Sequence, residues 1–370
     1  MTIASGLFGR IIVAMVIGAF AVSAPFTANA QQRKNKMAPF TYSNPIRFQG
    51  DVSKDELRDP CIIREGDTYY VVFTVWPFRG RDESALNNPD MGSSPGIKLY
   101  SSKDLKAWKF EKWLVKSSEL PEDCPYKHRF WAPEIHKING MFYIIFTADN
   151  WKEKSYNPAG RWGTAGYAFV GVADKVTGPY KHITYIPNGC CDSTLFGDCD
   201  GKIYCIMPHY DISIQEIDLI NLQKGVVKWV GEQKRVITPD TTGDTVLTEK
   251  PHYFEGPWVE KFGAKYVLFY AEPFEKTGYW TGVAYADSIM GPWTKDRRGR
   301  VFLGGHLAVF SGPDGRKWFS YRNEGEKNRG LLCVDPFEMD AEGRVSSAEP
   351  TVGPQIVKGL HAANSVRILK

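Results

Sequence analysis

Three acidic residues share one place in the pattern of this chain, the point where a polar segment gives way to an apolar strand. They are Asp59 in RDPCII, Asp192 in CCDSTLF and Glu255 in YFEGPW; His306 in GGHLAVF and Trp131 in FWAPE hold the same place in two further segments. A lone Asp ahead of a strand is ordinarily a solvated turn residue. Three carboxylates gathered in one pocket could do acid-base work. One would be protonated, to give a proton to a leaving oxygen, and another ionised, to activate water, with environment and the third charge driving their proton affinities apart. That is the chemistry of glycoside hydrolysis. Its two stereochemical courses differ in carboxylate spacing, about 6.5–9.5 Å for inversion and about 5–5.5 Å for retention, a distance that no sequence contains.

The elements around these residues repeat. IIREGDTYYVVFT, INGMFYIIFTA, CDGKIYCIM, FGAKYVLFYA and PDGRKWFSYR each put a turn glycine ahead of an aromatic-rich strand, the glycines being Gly66, Gly140, Gly201, Gly263 and Gly315. Further strand candidates such as GYAFVGVADKVTGPYKH and TGVAYADSIMGPWTK lie between them, and no long amphipathic helix follows the N-terminal segment. Five all-β units at this period predict a β-propeller of five four-stranded blades, which leaves few free sheet edges. Asp59 lies 7 residues before Gly66, Asp192 9 before Gly201, Glu255 8 before Gly263, His306 9 before Gly315 and Trp131 9 before Gly140. If these are the inner strands, their entrances meet at one rim of the central channel, and the site is a funnel there. Asp198, Asp200 and Asp314 sit in hairpin turns and read as structural, and Glu134, beside Trp131, as structural or supporting.

Composition bounds the rest. A hydrophobic share of 43% is that of a globular protein, and aromatics at 14% suit strands or sugar stacking. A net charge of +4 without a basic run argues against nucleic acid as a partner. Residues 1–30 read as a Sec-type signal peptide, with an apolar core and an Ala-x-Ala pattern at Ala28 to Ala30. Residues 31–44 then form a flexible lead and 45–370 a single catalytic propeller, expected to be monomeric, exported to the periplasm or beyond, and free of the membrane after cleavage. Seven cysteines leave at least one unpaired, and no CxxC or zinc-spaced His pattern occurs. Cys190, Cys191, Cys199 and Cys205 crowd one region where a local bridge could form, although burial as small apolar side chains is the simpler expectation.

The motifs RDPCII, FWAPEIHKINGMFY, CDSTLFGDCDGKIY, YFEGPWVEKFGAKYVLFY and GGHLAVFSGPDGRKWFSYR together resemble glycoside hydrolase family 43, the five-bladed propeller arabinofuranosidases, xylosidases and arabinanases. The resemblance runs over roughly residues 45 to 350. It implies an inverting enzyme with Asp59 as general base, Glu255 as general acid and Asp192 as the third carboxylate that raises and orients the acid. It also implies that Trp131, His306 and Arg329 meet the substrate. A His at the place of His306 lies on the channel axis in the family, often near calcium, so a structural calcium at His306 is an expectation of the resemblance, while the chemistry itself needs no cofactor. Two departures stand out: Ser193 follows Asp192 where many members have Pro, and Arg322 follows Tyr321 where many have His. Trp76, Phe78 and Trp162 are rim aromatics that could line outer subsites.

Two other readings stay open. A carbohydrate-binding propeller without chemistry would use the same pocket, but has no need of an acid-base pair. A related five-bladed hydrolase could act on galactans or fructans instead of arabinofuranosyl or xylosyl linkages.

Overall fold

The computed structural model describes residues 39–48, 56–76, 94–150, 166–239, 253–274, 278–298, 301–324, 330–346 and 349–357. The segment read as a signal peptide, Phe78, Trp162 and Arg329 lie outside the described residues, as does the side chain of Trp76.

Five antiparallel sheets form the five blades. Blade 1 runs Glu56–Glu65, Thr68–Trp76, Gly96–Ser102, Lys109–Lys116; blade 2 runs His128–Ile138, Met141–Asp149, Tyr167–Ala173, Lys181–Tyr185. Blade 3 runs Thr194–Gly197, Ile203–Pro208, Ile212–Asp218, Lys228–Ile237; blade 4 runs Glu255–Phe262, Lys265–Phe274, Gly278–Ala286, Thr294–Lys295. Among the described residues blade 5 has three strands, Gly304–Ser311, Lys317–Asn323 and Leu331–Pro336. The first strand of each blade packs against that of the next, and the fifth packs against the first, which closes the ring. The glycine hairpins join the first and second strands of each blade, as the repeat predicts.

Blades stacked face to face bury both sides of a sheet, so the second strands are not alternating. Met141–Asp149 is buried at every position but its first, and Val267, Leu268 and Phe269 are fully buried in succession. Such runs are the mark of a strand covered on both faces. Outermost strands meet water instead, and most of Lys228–Ile237 is exposed.

The ring is fastened in two ways. Residues 40–44, expected within a flexible lead, form a strand (Phe40–Asn44) paired antiparallel with Gly353–Val357. The chain then runs along the free edge of blade 5. The Asn44 side chain donates to the Val334 carbonyl at 2.7 Å and accepts from the Val334 N–H at 2.9 Å, and the Ile46 N–H donates to the Leu332 carbonyl at 2.9 Å. An amide side chain and the backbone beside it thus satisfy edge groups that a fourth strand would otherwise cover.

The second fastening is a polar tie at every blade junction on the hairpin side. Lys137 reaches Glu65, Asn139 the Gly201 carbonyl, Lys261 Asp198, Lys317 Glu260, and Arg64 the Gly312 carbonyl. A cavity of 610 Å³ opens at this mouth, lined by inner-strand residues that include Arg64, His136, Lys261 and Trp258, and it contains none of the three carboxylates. The chemistry-bearing residues gather at the opposite ends of the same strands.

Candidate active site

Asp59, Asp192 and His306 adopt left-handed backbone angles, with φ of 54°, 60° and 48°, and Gly256, next to Glu255, has φ 46°. Three of these positions coincide with breaks in strand register, between Arg58 and Cys61, Glu255 and Trp258, and Gly305 and Ala308. Asp192 lies just before its blade's inner strand. The inner strands of blades 1, 4 and 5 therefore open on a bulge, which re-aims a side chain away from the ladder. A non-glycine residue held this way costs about 1–3 kcal/mol, and such strain concentrates at functional sites.

These strand entrances bring three carboxylates from blades 1, 3 and 4 onto one imidazole from blade 5. His306 Nδ1 lies 3.2 Å from Asp59 Oδ1, while Nε2 lies 3.3 Å from Asp192 Oδ2 and 3.1 Å from Glu255 Oε2. The floor of the expected funnel is closely packed, since Asp59, Asp192 and His306 are only 8%, 8% and 7% exposed. Glu255 is the more open member. Gly256 makes this approach feasible: a Cβ there would stand 2.8 Å from His306 Cγ and 2.9 Å from its Cα. The Glu-Gly-Pro motif is thus a packing requirement as well as a turn.

Supporting hydroxyls and thiols complete the frame. The Asp192 N–H donates to Thr147 Oγ1 at 3.0 Å, and the Cys191 thiol donates to Asp192 Oδ1 at 3.2 Å. Burial, with Asp192 and Glu255 nearby, pushes that thiol well above its usual range, so it remains a donor. Ser193, the departure from the family pattern, closes a tight turn: its N–H and its hydroxyl both reach the Cys190 carbonyl, at 3.3 and 2.8 Å. Proline has no N–H for the first of these bonds. All seven cysteines are free thiols, so the local bridge considered for Cys190, Cys191, Cys199 and Cys205 is not formed. Asp198, Asp200 and Asp314 stay in their turns. Glu134 accepts from Thr194 Oγ1 at 2.5 Å and pairs with His136 at 2.7 Å, deeper in the channel.

Trp131 stands at the start of blade 2, opposite Thr147, partly exposed, with the Arg129 guanidinium 5.2 Å from its ring centre and paired to Asp149. One face of the indole therefore already carries a cation. Sequence reading missed Tyr279, whose hydroxyl donates to Glu255 Oε2 at 2.5 Å. It also passed over Arg58, which donates to that hydroxyl at 3.2 Å, and the place of Arg322, 5.6 Å from the Tyr279 ring centre. Arg58 was visible in RDPCII; nothing local marks Tyr279 among the strand tyrosines.

The electrostatics differ from expectation. The third carboxylate was to raise the proton affinity of Glu255. Burial does push Glu255 up, but the hydrogen bond and charge of His306, then Tyr279 and Arg58, outweigh it and hold the carboxyl below its usual range. Asp59 behaves likewise: burial raises it, and His306, Arg58, Thr74 and Arg322 bring it lower. His306 is opposed by its own burial, yet Asp59, Asp192 and Glu255 raise it well above an ordinary imidazole. A cation between the carboxylates outweighs their burial and their mutual repulsion.

The same cluster bears on calcium. Asp192, Glu255 and His306 offer three donor atoms within 4.8 Å of one another. Calcium takes six to eight oxygens, whereas among the described residues this cluster offers two carboxylate oxygens and one imidazole nitrogen. The donor set does not fit calcium, and no step below is routed through one.

The charge balance has a measurable consequence. The stabilisation from Asp59 and Glu255 is present above the ordinary carboxylate values and is lost as pH falls through their depressed ones. That from His306 is complete below the ordinary imidazole value and is lost as pH rises through its raised one. Between about pH 4.5 and 6.5 the wild-type cluster should contribute a constant amount. In His306→Gln, burial and mutual repulsion favour protonated carboxylates, so Tm should climb as pH falls across that window. Parallel Tm curves for the two proteins by calorimetry would contradict the imidazolium assignment.

The sequence profile of glycosyl hydrolases family 43 matches residues 48–345. The chain belongs to that family. It is 25% identical over 305 residues to Xylosidase/arabinosidase 43B of Humicola insolens, covering 75% of this chain and 49% of that protein. It is 26% identical over 233 residues to a xylosidase/arabinosidase of Butyrivibrio fibrisolvens, covering 58% and 36%. The chain thus spans half or less of these two family relatives. Among solved structures, a thermostable family-43 glycoside hydrolase superposes with a TM-score of 0.64 at 21% identity, covering 85% of this chain and 98% of the other. The xylan beta-1,4-xylosidase from Bacillus halodurans C-125 gives 0.61 at 20%, covering 82% and 58%. These likenesses establish a common family 43 propeller fold.

Proposed function

We propose that this chain is an inverting glycosidase acting on arabinofuranosyl or xylosyl linkages of plant-type oligosaccharides or polysaccharides. The observation that carries this reading is the convergence of three carboxylates from three blades on one buried imidazole. Asp59 is the general base that takes a proton from the attacking water, and Glu255 the general acid that protonates the leaving oxygen. Asp192 and His306 hold the pair in place, and Trp131 and Arg329 meet the sugar. The Asp59 and Glu255 carboxylates face different ring nitrogens of His306, at 3.2 and 3.1 Å. The separation of two such carboxyl groups goes with the stereochemical course, and it is the likeness to the family that supports inversion.

At rest His306, Tyr279 and Arg58 hold the Glu255 carboxyl below its usual range, so the acid must gain its proton in the complex with substrate. A sugar entering the pocket excludes water, which raises the proton affinity of a carboxylate, so Glu255 takes up the acid proton as the substrate binds. The relatives bearing xylosidase and arabinosidase names support a pentosyl substrate. The apolar N-terminal segment and Ala28–Ala30 support export to the periplasm or beyond. The test is a panel of aryl and natural arabinofuranosides, xylosides and galactosides, with the anomer of the first product followed by NMR. Turnover of a pentoside with an inverted first product is expected. A retained first product would remove Asp59 as base, and sugar binding without turnover across the panel would make the protein a lectin.

A further inference from the structure

Glu255 is held by one of its two oxygens. Tyr279 donates to Oε2, and His306 Nε2 approaches the same atom at 3.1 Å. Among the described residues no donor reaches Oε1. Tyr279 lies in the Gly278–Ala286 strand of the same blade as Glu255 and is only 8% exposed. Its ring meets the edge of the His306 ring at 5.6 Å between centres. Its hydroxyl accepts from Arg58 Nη2 at 3.2 Å, so its own proton is directed at the carboxylate. Arg322 lies 5.6 Å from the ring centre. Cations from blades 1 and 5 therefore flank a buried phenol whose one proton is committed to Glu255, an arrangement that strengthens a charge-assisted hydrogen bond.

We propose that Tyr279, backed by Arg58, is a positioning residue that decides which oxygen of Glu255 works: Oε2 is kept as the acceptor of two donors, and Oε1 carries the proton and delivers it. The assignment rests on Glu255 being the acid. In the step, the Oε1–H bond breaks as the glycosidic oxygen takes the proton. The electron pair of the broken glycosidic bond stays with that oxygen, and water, giving its proton to Asp59, forms the new bond at the anomeric carbon. With Oε2 saturated, the acid has a single productive orientation, and a protonated Glu255 cannot turn its proton away from the sugar without losing both bonds.

The groups facing Glu255 and Tyr279 are Asp59, Asp192, His306, Arg58, Arg322, Cys191 and Tyr253. Tyr279→Phe keeps the ring against His306 and Arg322 and deletes only the donor. Loss of a donor to the ionised carboxylate raises its proton affinity, so the upper limb of the kcat/KM profile, which belongs to the coupled Glu255–His306 pair, should move up by about one pH unit. The lower limb, set by Asp59, should not move. The loss of rate should be several-fold on a natural glycoside and smaller on an aryl glycoside with a good leaving group. Arg58→Gln is the second variant: because Arg58 also lowers Asp59, it should move both limbs upward. A Tyr279→Phe profile that overlays the wild type, in an enzyme whose Glu255→Ala variant is sensitive to the leaving group, overturns the Tyr279 assignment alone. A Glu255→Ala variant indifferent to the leaving group overturns the acid assignment and this one with it.

Discussion

Asp59→Asn is expected to lose about 10²–10⁴-fold in kcat/KM on every glycoside the enzyme accepts, whatever its leaving group, because water must be activated in each case. Asn is the informative replacement. Asp59 has φ 54°, and Asn tolerates left-handed backbone better than Ala does, so the bulge survives while the base is lost. Asp59→Ala adds backbone strain and should lower Tm further with a similar loss of rate. Agreement of the two variants in rate, with different Tm values, would tie the loss to the missing carboxylate. A second check is built into the geometry: His306 Nδ1 loses its anionic partner at 3.2 Å, so the imidazole should titrate lower, which histidine NMR can follow. An Asp59→Asn enzyme within a few-fold of wild type would remove Asp59 from the mechanism.

Glu255→Ala should divide substrates. A leaving group of low pKa departs with little protonation, so an aryl glycoside should lose far less rate than a natural one, within the window of about 10²–10⁴-fold that general acid assistance supplies. Removing the carboxylate also leaves the Tyr279 hydroxyl and His306 Nε2 without the acceptor they share. An abandoned buried donor is destabilising, so Tm should be measured beside kcat/KM, with Glu255→Gln as the variant that keeps an acceptor. Equal losses on both substrates would show that Glu255 does not protonate the leaving group. Because Glu255 and His306 are in direct contact, the upper limb of the wild-type profile is a property of the pair, and it should be weakest on the activated aryl substrate.

The blade count and the strand entrances could be read from the chain because they depend on neighbours in sequence. A turn glycine such as Gly201, an aromatic strand such as Ile203–Pro208 and a carboxylate just ahead of the hairpin, Asp192, all lie within one local unit. The radial fold followed from repeating that unit, and the candidate carboxylates from their common place in it. What the units did to one another was not legible. Arg58 and Tyr279 are 221 positions apart, and nothing around either residue encodes the bond between them. The same holds for the Asn44 side chain on the Val334 backbone, 290 positions away, which turned an expected lead into the fastening of the ring. Most consequential is His306. Its motif marked it as facing the channel, but only closure of the five blades set its two ring nitrogens against three carboxylates. The sequence reading had Asp192, a third carboxylate, raising the proton affinity of the acid Glu255. The tertiary structure put a cation among them, and since electrostatic effects depend on distance and not on chain order, that one placement changed the sign.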